Sequence, residues 1–147
     1  MARATTAAYA EHVLEVSENG TSWSRLCGLM NFSNTFAAVT SQDQVPDCDD
    51  ESLPHAISRE VQSVDLTVDC EAIWAQESHE TILQWMLTGA LKHARVGYLA
   101  AAIGDVEYVS GQAIMANLQH RREKGVRVKG TFQLQFSGAL TTTDQTT

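Results

Sequence analysis

The clearest pattern in the chain lies at residues 61–70, where Val64, Leu66, Val68 and Cys70 alternate with Ser63, Asp65, Thr67 and Asp69. A period of two puts the apolar side chains on one face of a strand and the polar ones on the other. One face must pack on a core while the other meets water. The alternation returns where Phe132, Leu134 and Phe136 interleave with Thr131, Gln133, Gln135 and Ser137. Further strands are predicted at residues 12–16, 23–30, 31–39, 96–102 and 108–119. Asn19-Gly20 follows the first of these and predicts a type I′ hairpin turn.

A different period governs residues 78–93, where Ile82, Leu83, Met86, Leu87, Ala90 and Leu91 recur at three- and four-residue spacing. That spacing predicts an amphipathic helix. Ser78 suits its N-cap, Glu80 its positive end, and Lys92 with His93 its negative end. Gly89 then falls inside the helix, where it costs roughly 1 kcal/mol relative to Ala, so the helix depends on packing against the sheet. Strands, one helix, then strands predict an α+β, predominantly β domain: a β-sandwich or partial barrel with one flanking helix.

Residues 40–59 hold both prolines and five acidic residues, and read as one long loop. Residues 1–10 and 141–147 read as flexible or partner-docked termini of a single domain, 1–147. No run of about 18 apolar residues is present for a membrane span, and residues 1–10 lack the apolar stretch of a secretory signal.

Charge narrows the function classes. Eighteen acidic residues against ten basic ones give a formal net charge of −8. Proteins that grip nucleic acid by counterion release carry the opposite balance. An acidic surface suits DNA that slides past without sticking.

Candidate chemistry is sparse. His79-Glu80 does not extend to HExxH, because Leu83 stands at the second histidine's place. Asp47, Asp49, Asp50 and Glu51 lack the spacing and glycine of a calcium loop, which favours a solvated loop over a metal site. The five histidines show no ligand spacing, and no nucleophile elbow or phosphate-cradling loop occurs. Arg121, Arg122 and Lys124 read as a solvated hairpin turn, and Trp23, Trp74 and Trp85 as core or interface anchors. Cys27, Cys48 and Cys70 are odd in number with no CxxC spacing. Three reduced thiols is the simplest reading, and an internal bridge or pairing between subunits are the alternatives.

The segment Val45-Pro46-Asp47-Cys48-Asp49-Asp50-Glu51 resembles a turn that recurs in the tail tube proteins (major tail proteins) of long-tailed bacteriophages. In that family the acidic loop precedes an alternating strand, a single helix and a C-terminal hairpin. Here those are residues 60–70, a helix starting near Ser78-His79-Glu80-Thr81, and residues 108–138 with Arg121-Arg122-Glu123-Lys124-Gly125 at the tip. The resemblance implies a structural virion protein of the tail, assembled in the host cytoplasm, with no enzymatic activity and no cofactor. Six copies would form a ring whose inner wall is a β-barrel, and stacked rings would form the tube.

Implied partners are the tape-measure protein, a tail terminator, baseplate or tip proteins, and a sheath protein if the tail contracts. DNA would pass through without specific binding. On that reading Asp65, Thr67, Asp69, Gln133 and Gln135 face the channel, and Asp47, Cys48, Asp49, Asp50 and Glu51 form an inter-subunit loop. Cys27, Cys48 or Cys70 could then pair between subunits. The alternatives are another β-rich virion ring, such as a terminator or head-completion protein, and a small metal-binding module or enzyme using residues 47–55.

Overall fold

A computed structural model describes residues 3–146 of the chain. After a 3-10 turn at Tyr9–Glu11 the elements run β1 (His12–Ser17), β2 (Ser24–Arg25), β3 (Leu29–Val45), β4 (Ala56–Ile73), α1 (Gln76–Thr88), β5 (Lys92–Tyr98), β6 (Val106–Arg121) and β7 (Lys129–Asp144). The strands hydrogen-bond in the order β2-β1-β5-β6-β7-β4-β3, a seven-stranded sheet that does not close on itself. The predicted class holds: predominantly β, matching a β-sandwich with one flanking helix. Two compact units can be distinguished. One joins the chain up to Asn34 with the chain from Thr67 onward, and the other spans Thr35–Leu66.

The first unit holds most of the core. Val68, Val96, Ala94, Ala113 and Leu134 are fully buried, and Leu14, Met115 and Phe132 nearly so. These positions come from the alternating faces of five different strands. Full burial of one such aliphatic side chain stabilises by about 1.5–3 kcal/mol, so the pattern itself is the main folding signal.

Helix α1 lies against this core through Ser78, Ile82 and Trp85, spaced at four and three residues. Its boundaries differ from the predicted 78–93. Ala75 is the N-cap, and the Ser78 hydroxyl instead donates to the Cys27 carbonyl at 2.8 Å. The helix stops at Thr88 because Gly89 adopts φ +65° as a left-handed cap, its N–H donating to the Trp85 carbonyl. Trp85 is fully buried and donates from Nε1 to the Ala90 carbonyl at 2.8 Å, which fixes the exit of the chain. Lys92 and His93 consequently belong to β5, and Leu87 and Leu91 are exposed rather than part of the buried stripe.

Other expectations are corrected too. β1 pairs β2 as Glu15↔Arg25 and Val16↔Ser24, too wide a loop for a two-residue turn. Asn19 instead accepts from the backbone of Thr21 and Ser22 while Gly20 turns at φ +79°. The strand expected at 23–30 shrinks to Ser24–Arg25. The supposed terminal tail continues β7 as far as Asp144, with Val106↔Asp144 and Tyr108↔Thr143 paired; Thr147 lies outside the described residues, as do Met1 and Ala2.

The second unit consists of the later part of β3, the loop 46–55 and the start of β4. Half of the expected 40–59 loop is thus strand, and the irregular part is confined to residues 46–55. Sequence pattern misled here because both faces of this hairpin are exposed, so no apolar alternation marks it.

Candidate functional site

Four of the five residues expected to line a channel form one polar patch. Register pairs Thr67 with Gln135 and Asp69 with Gln133. Gln133 donates from Nε2 to Asp69 Oδ1 at 2.9 Å, and Gln135 donates to Gln133 Oε1 at 3.2 Å. Their sequence neighbours Val68, Cys70, Phe132 and Leu134 are buried on the opposite face. Asp65, exposed, precedes Thr67 by two positions in β4, in the second unit.

The patch is wider than the sequence suggested. Asn117 lies opposite Gln133 on β6, Gln119 opposite Thr131, and Glu71 opposite Thr131 on β4. A register shift between Met115 and Asn117 breaks the alternation of β6 and hides these residues from a period-two reading. Amides, hydroxyls and carboxylates line the surface, with no basic group among them. Such a face holds water and repels phosphate. It contains no nucleophile beside a base.

The acidic loop is ordered by its own side chains. Asp47 Oδ1 accepts from the backbone of Asp49 and Asp50 at 2.8 and 2.9 Å. Asp50 accepts from the Ser52 backbone at 3.0 Å and from its hydroxyl. The hydrogen bonds hold both carboxyls below the usual range, with Asp50 and then Asp49 amides acting on Asp47, and Ser52 acting on Asp50. Along its strands and at this tip the second unit exposes Phe36, Val39, Val45, Leu53, Ile57 and Val61. Among the described residues β3 is also an end strand of the sheet, hydrogen-bonded to β4 alone.

Cys27 and Cys48 are exposed, whereas Cys70 is buried and burial pushes its thiol up to about 12. Only the first two are reachable by another chain. Among the described residues no three His, Cys, Asp or Glu side chains converge as a metal site, and no helix is long and apolar enough to cross a membrane.

Sequence reading missed a second cluster. Arg95 of β5 pairs with Glu15 of β1 at 3.3 Å, and its guanidinium lies 4.4 Å from the Trp23 ring and 3.8 Å from that of Tyr108. Gly97 makes room for it, since a Cβ there would meet the Tyr108 ring at 2.7 Å. The clasp ties the β1–β2 loop to the sheet through ion pairing and cation–π contact. No sequence signal could join residues so far apart. Of the other tryptophans, Trp85 is core and Trp74 is half exposed against the His79 ring.

The fold recurs in solved structures of low sequence identity. The tail of an empty GTA particle, determined with C6 symmetry, superimposes with a TM-score of 0.71 at 14% identity, covering 94% of this chain and 99% of that one. The SPP1 tail tube gives 0.67 at 9% identity, covering 97% and 81%. A chain of the anti-feeding prophage baseplate gives 0.59 at 10% identity, covering 97% and 98%. No curated protein matches the sequence. The family model described as phage tail tube protein matches residues 7–142. The chain therefore belongs to the phage tail tube protein family, as a structural component of the virion tail.

Proposed function

We propose that this chain builds the tail tube as stacked rings of identical subunits, six to a ring, around a channel for the genome. The exposed hairpin of the second unit carries the reading. It presents apolar side chains to solvent on a strand whose outer edge pairs with no other strand among the described residues. Monomers rarely leave such an edge open, because it templates pairing with another chain. A neighbouring subunit that covers the hairpin removes both liabilities at once. The sixfold symmetry of the similar GTA tail supports the ring number.

Within the ring the polar face of β4 and β7 lines the channel through Asp65, Thr67, Asp69, Gln133 and Gln135. Its carboxylates repel the DNA backbone, and its amides keep the wall wet. The tape-measure protein occupies the channel before DNA does. Terminator and baseplate or tip proteins close the two ends, a sheath surrounds the tube if the tail contracts, and the subunit itself catalyses nothing.

Deleting residues 47–52 tests the hairpin's role. The expected product is a folded monomer, checked by circular dichroism, that no longer sediments as polymer. Tubes of ordinary length from the deleted chain would contradict the reading.

A further inference from the structure

The basic residues are unevenly distributed. Arg121, Arg122, Lys124, Arg127 and Lys129 are half of the ten in the chain, all within the β6–β7 turn and its flanks, with Glu123 the one acid among them. Conversely, no Lys or Arg stands between Arg25 and Arg59. Among the described residues the ion pairs are Lys92–Glu18, Arg95–Glu15 and Arg121–Glu123. Arg122, Lys124, Arg127 and Lys129 therefore have no ion-pair partner there. Three of these four are exposed and Lys129 is half-buried.

The turn is not charge alone. Val126 and Val128 are exposed on it, and the half-exposed Trp74 donates its backbone N–H to the Val128 carbonyl at 2.9 Å. Apolar side chains ringed by unpaired cations make a surface that fits an anionic partner with apolar flanks. The hairpin loop has that composition. Asp49 and Glu51 are exposed without ion pairs among the described residues, and Val45 and Leu53 are exposed on either side of the acidic run.

We propose that the β6–β7 turn docks the acidic hairpin loop of a second copy of this chain. The inference rests on the tube reading and adds which two surfaces meet. Two different patches of opposite sign on one chain join head to tail. A patch meeting itself would set like charges together. Head-to-tail contacts are heterologous, and they propagate into rings or filaments as a tube requires. The rest of the acidic molecule repels DNA, so a second copy is the better occupant of this turn than nucleic acid.

Charge reversal on each side tests the contact. Asp47 and Asp50 shape the loop and are left alone. The turn variant carries Arg122→Glu and Lys124→Glu, the loop variant Asp49→Lys and Glu51→Lys, and a third chain carries all four. Each two-site variant is expected to raise the protein concentration needed for tubes by about tenfold, the equivalent of about 1.4 kcal/mol. The four-site chain is expected to return to within about threefold of the unaltered chain, because the contact is restored with its signs exchanged.

Two-site variants that polymerise like the unaltered chain would overturn the contact while leaving the tube reading intact. So would a folded four-site chain no better than its parents. An unaltered chain that stops at single closed rings would overturn both.

Carbodiimide cross-linking of unaltered tubes gives a measurement that needs no variant. Peptides joining Lys124 or Lys129 to Asp49 or Glu51 of another copy are expected. Their absence, with both lysines shown to be reactive in the monomer, would count against the contact.

Discussion

His12 sits where the sequence offered no reason to look. Its ring stacks on Tyr98 at 5.0 Å and tilts against Phe32 at 4.6 Å, and its Nε2 is buried without a hydrogen-bond partner. Burial lowers its pKa, opposed by the hydrogen-bonding side chain of Asn34. The folded chain thus binds the proton less readily than the unfolded one. Stability from this group is fully present above the ordinary value of 6.5 and is lost as pH falls through the lowered folded value. The melting temperature should fall on acidification below pH 6.5, and more steeply for the native chain than for His12→Gln. Parallel losses in the two chains would show that carboxylates alone set the acid response. Cys70, by contrast, was legible from its place on the apolar face of the alternation. Periodicity reveals which face a residue takes but not which distant ring will cover it.

At the scale of elements, the strands with one buried face were readable, and the errors lie where burial is absent or local geometry decides. α1 was found, yet its end was placed too late because Gly89 reads as an interior residue and Lys92-His93 as helix-ending cations. The two readings predict opposite signs for one substitution. An interior glycine replaced by Ala would stabilise the helix by roughly 1 kcal/mol. A cap at φ +65° has open space for the methyl group but the wrong backbone for it. Gly89→Ala should therefore destabilise by about 1 kcal/mol, measured by denaturant melts. A gain in stability would contradict the cap. The β3–β4 hairpin was read as a loop for the complementary reason: paired strands exposed on both faces leave no periodic trace.

For the whole molecule, the order of elements and the acidic loop pointed to the family, and the fold and the family match agree with that. The polar patch on β4 and β7 was largely legible, since Asp69, Thr67, Gln133 and Gln135 lie side by side on neighbouring strands. Its extension onto Asn117 and Gln119 was concealed by the β6 bulge. If this face lines the channel, Asp65→Lys with Asp69→Lys should leave tubes intact while slowing DNA delivery, read as fewer infective particles per assembled tail. Unchanged delivery would place the face on the outside instead.

The central claim is that the chain polymerises by stacking rings. Negative-stain electron microscopy of the purified protein across a concentration series tests it most directly. The account predicts uniform hollow tubes with a regular axial repeat and sixfold end views, more numerous as concentration rises. Single closed rings that never stack would contradict it.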